Sequence, residues 1–145
     1  DLNSYLLNTK VQFFLFEEKE ISGKVFDELK KINPKLIILA GFLKKIPPSY
    51  LSFFKNKIIN IHPSLLPKYG GKGMYGSNIH KKVIQNKESE SGITIHYVSK
   101  EYDAGKIIFQ KKIKVDKNDT PEKLEEKIHK LEYEYFPKVI ESLLI

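Results

Sequence analysis

The stretch Lys57-Ile58-Ile59-Asn60-Ile61-His62-Pro63-Ser64-Leu65-Leu66-Pro67 decides how this chain is to be read. Ile58–Ile61 is apolar and β-branched, which predicts a strand. Alternate residues of a strand face the same side, so Asn60 and His62 converge on one small target. Pro63 has no N–H to donate and stops the ladder. Two polar side chains therefore stand at the carboxyl end of a strand, where open α/β sheets bind their ligands. Further on, the turn Tyr102-Asp103-Ala104-Gly105 offers a carboxylate. An Asn/His/Asp set has no nucleophile of its own; it suits general acid–base work and oxyanion stabilisation.

Outward from that strand, helices and strands alternate. Leu36–Ala40 is continuously apolar, as expected of a central parallel strand buried on both faces. Before it, Ser22 is placed to cap a helix over Gly23–Ile32, with Phe26, Leu29 and Ile32 on one face and Asn33-Pro34 ending it. Val11–Phe16 reads as an earlier strand, and Pro47-Pro48 open a short helix through Phe54. The order strand–helix–strand–helix–strand implies right-handed crossovers and a doubly wound sheet. Downstream, the glycine-rich loop Gly70–Gly76 precedes a helix from about Ser77 to Gln85. Ile93–Val98 alternates, and Lys106–Val115 is a second strand. The loop between them holds Asp103, which predicts an antiparallel hairpin at the sheet edge. Thr120-Pro121 supply an N-cap and a first-turn proline for the last helix, whose apolar stripe is Leu124, Ile128, Leu131, Tyr135 and Val139. The expected fold class is α/β: a doubly wound, mostly parallel sheet with a C-terminal antiparallel edge hairpin and a final helix, in one domain over residues 1–145.

The bulk properties set further bounds. A chain of this length buries roughly 68–70% of its unfolded surface, enough for an ordinary core. Cysteine is absent, which excludes disulfides, a thiolate nucleophile and a Cys-based zinc site. No signal peptide and no apolar run of membrane-spanning length stands out, so a soluble, cytoplasmic protein is expected. The net charge of +7 raises the question of nucleic acid, but all 25 basic residues are lysine, and base edges are usually read by the guanidinium fork. The lysines are also interleaved with glutamate, the pattern of a solvated face. The opening is unusual: a doubly wound sheet starts with a buried strand and a glycine-rich phosphate turn, whereas this chain begins at Asp1 with no such unit. Gly70–Gly76 matches neither phosphate-loop pattern. The sequence is therefore expected to be N-terminally incomplete.

Three segments, Leu39-Ala40-Gly41-Phe42-Leu43, Asn60-Ile61-His62-Pro63-Ser64-Leu65-Leu66-Pro67-Lys68-Tyr69 and Glu101-Tyr102-Asp103-Ala104-Gly105, resemble the phosphoribosylglycinamide formyltransferase family, over about Val11 to Leu144. The resemblance implies a Rossmann-like formyltransferase fold and formyl transfer from 10-formyltetrahydrofolate to glycinamide ribonucleotide in purine synthesis. It implies that Asn60, His62 and Asp103 are catalytic. It implies a folate site along Leu43, Lys44, Lys45 and Ile46 and along Ser99, Lys100, Glu101 and Tyr102, working largely through backbone groups. It also implies that Glu132 contacts the ribonucleotide. The expected partners are these two small molecules, with no metal, nucleic acid or membrane, and a monomer or homodimer. The family's N-terminal phosphate turn has no counterpart. Two departures stand out: Ala104 replaces a glycine, which could restrict the turn, and the Gly70–Gly76 loop is long, either a substrate cover or, the preferred reading, a surface insertion.

On this reading the substrate amine attacks the formyl carbon. His62 and Asn60 donate to the resulting oxyanion, while Asp103 pairs with the imidazolium and relays the amine proton to the folate nitrogen. Taken singly, Asn60 would be a strand-end cap and Asp103 a turn residue, and the matched block raises these two together; Glu132 would be a solvated helix position and rests on the resemblance alone. His96 is expected to be structural or to stand behind the catalytic residues. His80 and His129 are expected on the surface or a helix face, and the four histidines show no metal-ligand spacing. Formyl transfer to another amine, formyltetrahydrofolate hydrolysis, and a non-catalytic folate- or nucleotide-binding remnant are the alternatives.

Overall fold

The computed structural model describes residues 23–39 and 41–145. The expected Val11–Phe16 strand, the Ser22 cap and Ala40 lie outside the described residues. The chain divides into two compact units, Asp1–Asn33 and Pro34–Ile145. In the first, helix α1 (Gly23–Ile32) ends where the sequence predicts. Asn33 takes the left-handed conformation that asparagine tolerates (φ +47°) and bonds back to Leu29 O at 2.9 Å, and Pro34 cannot continue the helix.

The second unit carries strands β1 (Ile37–Ile38), β2 (Ile58–His62), β3 (Glu90–Tyr97) and β4 (Ile107–Lys114), in that spatial order. Helix α2 (Pro48–Phe53) links β1 to β2, α3 (Ser77–Gln85) precedes β3, and α4 (Pro121–Leu144) closes the chain. β1 and β2 are parallel, pairing Ile37 with Ile58 and Ile38 with Ile59; this is the strand–helix–strand crossover the sequence implies. β3 runs antiparallel to both β2 and β4, so the hairpin stands at the edge of a mixed sheet. β1 is less buried than its apolar run suggests: Ile38 is 38% exposed, because among the described strands β1 has β2 as its only neighbour.

β3 has both faces covered, and this places the site. Ile93 and Ile95 face an apolar core that includes Ile79 and Val83 of α3, Leu124 and Ile128 of α4, and Ile59 of β2. The register sets Asn60 opposite His96 and His62 opposite Thr94 on the other face. Gly92 lets β4 approach, since a Cβ there would lie 2.1 Å from Lys111 O. A register shift between Ile95 and His96 against β4 is the kind of bulge that re-aims side chains beside a site. The last helix starts as predicted, with the Thr120 hydroxyl accepting from the Lys123 N–H at 3.2 Å. Leu124, Ile128 and Val139 of its stripe are buried, with Leu131 and Tyr135 partly so. The helix runs on through Pro137.

Candidate active site

Pro63 ends β2 and the chain folds back over the sheet end. One hydroxyl fixes that return. Thr94, fully buried on β3, accepts from the Leu66 N–H at 3.0 Å and donates to Ser64 O at 2.7 Å. Gln110 on β4 donates to Leu66 O and to the Thr94 hydroxyl, both at 2.9 Å. Ser64 itself donates to Lys68 O at 2.6 Å. A loop with its backbone groups so satisfied holds its next residues, Tyr69 to Gly71, against the end of β2.

There His62, 4% exposed, sits between two acceptors: Nε2 is 2.7 Å from Tyr69 O and Nδ1 is 3.4 Å from Asp103 Oδ1. Asp103 is aimed by a left-handed backbone (φ +54°), which aspartate adopts more readily than most residues. Its other oxygen accepts from the Gly71 N–H at 3.0 Å. His96 Nδ1 donates to Tyr97 O at 2.9 Å. Burial keeps the His96 pKa below its usual 6.5, against the opposing pull of the Tyr97 carbonyl and Asp103. A neutral ring with its proton on Nδ1 leaves Nε2 bare, so Nε2 accepts from the Asn60 amide at 3.4 Å, which fixes the amide's orientation. The 3.7 Å approach of His96 to Asp103 is therefore contact with a neutral ring, not an ion pair. Asn60, His62 and Asp103 thus belong to one cluster: His62 Nδ1 and His96 Nε2 both approach Asp103 Oδ1, and the Asn60 amide is held on His96 Nε2.

Beside Asp103 opens a hollow of about 490 Å³ lined by Lys45, Gly71, Lys72, Glu101 and Tyr102. Two of the expected folate segments meet there: Lys45 pairs with Glu101 at 3.0 Å and its ammonium stands 5.3 Å from the Tyr102 ring centre. The Lys45 hydrogen bond lowers the Glu101 pKa. Ser99 donates to Glu101 O at 3.2 Å, shaping that loop. Ile46 is buried, while Leu43, Lys44 and Lys100 are exposed. Glu132 is half-buried on α4; burial raises its carboxyl pKa, with His129 opposing and Glu125 adding to the shift. Among the described residues no hydrogen bond or ion pair ties Glu132 to Asn60, His62 or Asp103.

Several expectations need adjusting. The Gly70–Gly76 loop is more than a surface insertion, because Gly71 holds Asp103 and a Cβ on Gly70 would lie 3.3 Å from the Asp103 Cβ. The turn does not need glycine at Ala104, which is absent from the positive-φ residues. It needs glycine at Gly105, where a Cβ would meet Tyr97 O at 1.6 Å. His80 is not a surface residue: it is 2% exposed, and its Nδ1 has no hydrogen-bond partner among the described residues. Tyr69 and Gly71 escape a side-chain reading because they act through backbone groups. His96 joins the site only through the β2–β3 register. No group of three or more His, Cys, Asp or Glu among the described residues could hold a metal ion, and no described helix is long and apolar enough to cross a membrane.

Comparison with known proteins agrees with this architecture. The formyl transferase family profile matches residues 7–140. The chain is 40% identical over 137 residues to the phosphoribosylglycinamide formyltransferase of Bacillus subtilis, covering 90% of this chain and 68% of that one. It is 41% identical over 121 residues to the chloroplastic phosphoribosylglycinamide formyltransferase of Arabidopsis thaliana, covering 83% of this chain and 41% of the plant protein. The chain thus spans under half the length of that plant relative. The crystal structure of glycinamide ribonucleotide transformylase 1 from Geobacillus kaustophilus superposes with a TM-score of 0.81 at 34% identity, over 99% of this chain and 77% of that one. Profile, sequence and fold agree over nearly the whole chain, and it belongs to the formyl transferase family.

Proposed function

We propose that the chain transfers a formyl group from 10-formyltetrahydrofolate to the amine of glycinamide ribonucleotide, a step of purine biosynthesis. The observation that carries the proposal is the convergence of Asn60, His62 and Asp103 at the end of β2, in a chain that shares the formyl transferase fold. The names of its relatives support the choice of acceptor.

The amine lone pair attacks the formyl carbon, and the carbonyl π electrons move onto the formyl oxygen. Asn60, its amide held by His96, and protonated His62 donate to that oxyanion. Fixed donors aimed at developing charge are worth about 2.7–4 kcal/mol each. Asp103 accepts the proton shed by the attacking nitrogen and delivers it to the folate nitrogen as the carbon–nitrogen bond breaks and the carbonyl reforms. The hollow beside Asp103, with Lys45, Tyr102 and Lys72 on its walls, is the candidate seat of the folate. Two lysines against one glutamate leave its lining with a net positive charge, which suits an anionic cosubstrate. Glu132 is assigned to the ribonucleotide on family grounds alone. Both partners are small molecules.

The test is formyl transfer followed by folate absorbance, with and without glycinamide ribonucleotide, beside a His62→Ala control. Turnover that needs the amine and collapses without His62 is expected. Formate release without the amine would make the chain a hydrolase. Folate binding without either reaction would make it a binding protein.

A further inference from the structure

Tyr69 has a left-handed backbone, φ +55°, a conformation that a bulky residue keeps only when its surroundings hold it. Here the holding groups are distant from the reacting centre. The Tyr69 phenol donates to Glu88 Oε1 at 2.9 Å and accepts from Asn86 Nδ2 at 2.8 Å. Glu88 is fixed in turn by Lys68, whose ammonium reaches both carboxylate oxygens at 3.2 Å, and by its own N–H on Val83 O. Asn86 is the C-cap residue of α3. The ring is thus pinned to the turn after α3, while the same residue's carbonyl stands at the end of β2.

That carbonyl lies 2.7 Å from His62 Nε2. A carbonyl only accepts, so Nε2 carries a proton and donates it there. Nδ1 is left facing Asp103 at 3.4 Å, well beyond the roughly 2.7–2.9 Å of a closed charge-assisted bond, with room for a reacting oxygen to take up the donor. Two residues on, the Gly71 N–H occupies Asp103 Oδ2. One short segment therefore engages the far side of both catalytic groups and leaves Nδ1 and Oδ1 turned towards each other. Which imidazole nitrogen works is set by what the other is bonded to.

We propose that Tyr69 is a positioning residue: its anchored phenol sets its own carbonyl as the acceptor that fixes the Nε2–H of His62, and so makes Nδ1 the nitrogen that serves the formyl oxygen. The assignment of the working nitrogen rests on the formyl-transfer reading; the fixed Nε2–H does not. In Tyr69→Phe the ring stays and its anchor goes.

The experiment pairs kinetics with nitrogen-15 spectra of the histidine-labelled chain, with His62 assigned by its loss in His62→Ala. The native chain is expected to show a downfield, exchange-protected Nε2–H. Tyr69→Phe is expected to lose or broaden that signal and to lower kcat about tenfold, with KM for 10-formyltetrahydrofolate changed less than about twofold. Glu88→Leu removes the same anchor from the other side and is expected to reproduce both effects. Glu88→Gln, which keeps an acceptor for the phenol, is expected to retain the signal and stay within about twofold of native kcat. A native His62 with its proton on Nδ1 and Nε2 bare would overturn the proposal. So would a folded Tyr69→Phe with unchanged signal and turnover. A native chain that transfers no formyl group overturns the formyl-transfer reading instead, and the spectra still decide the role of Tyr69.

Discussion

Replacing Thr94 by valine keeps the shape of the side chain and removes a single oxygen. That oxygen takes part in three hydrogen bonds: from Leu66 N at 3.0 Å, to Ser64 O at 2.7 Å and from Gln110 Nε2 at 2.9 Å. Gln110 keeps its bond to Leu66 O and is exposed enough to find water. The Leu66 N–H and the Ser64 carbonyl belong to residues 6% and 1% exposed and lose this partner. Each buried orphan costs about 1–3 kcal/mol. Burying a methyl in place of the hydroxyl returns about 1 kcal/mol. The net loss expected is about 3 kcal/mol, or about 6–12 °C in Tm for a chain of this size. Urea unfolding of Thr94→Val beside Thr94→Ser, which keeps the oxygen, measures it; the midpoint should fall in valine with little change in m. A valine variant within about 1 kcal/mol of native, or one no worse than serine, would refute the view that this hydroxyl holds the loop. The same variant should also lose turnover, since the loop carries Tyr69 and Gly71.

Asn60→Ala removes one of the two proposed oxyanion donors and should lower kcat about 10²–10³-fold in the folate absorbance assay; a loss under tenfold would remove Asn60 from the mechanism. Gly105→Ala places a Cβ where Tyr97 O stands 1.6 Å away, so the Asp103 turn must shift. A stability loss of about 3 kcal/mol is expected by denaturant titration, and an unaffected chain would contradict the close approach. Burial holds the pKa values of both His80 and His96 below their usual 6.5. The unfolded chain therefore takes up protons on acidification before the fold does, and stability present above 6.5 drains away below it, by up to about 1.4 kcal/mol per pH unit per group. Burial raises Glu132 above its usual 4.5; that group binds its proton first in the fold and opposes the loss as pH falls through its raised pKa. Urea midpoints in the Glu132→Gln background, where that opposition is gone, should fall between about pH 7.5 and about pH 5.5, and a flat profile would count against two buried neutral histidines.

Much of this molecule is written in side-chain pattern. The β1–α2–β2 crossover follows from an apolar run, a Pro-Pro start and a second apolar run. α4 follows from its Thr120-Pro121 start and a stripe at helical spacing. Asn60 and His62 are legible because a strand's period of two is rigid, and Asp103 because its turn lies in the loop of a foreseeable hairpin. The remainder depends on quantities no local pattern holds. Tyr69 and Gly71 act through a carbonyl and an N–H, which nearly every residue possesses. His96 needs the β2–β3 register, one residue's slip of which would turn it to the opposite face. His80 is buried because α3 packs against α4, a contact set by the whole unit and not by its own helix. Ala104 and Gly105 look alike in a turn until the distance to Tyr97 O separates them.

β3 is a partition one residue thick. Ile95 and His96 are neighbours in the chain, yet one lies in the dry interior and the other stands behind the Asn60 amide on the site face. Nothing cushions the two compartments from each other. A cavity carved at Ile95 or Ile93 would relax the backbone that sets the positions of Thr94 and His96, and its cost would be read in rate as well as in melting temperature. For this fold, the tolerance of the interior to repacking is bounded by the tolerance of the chemistry to movement on the scale of an ångström.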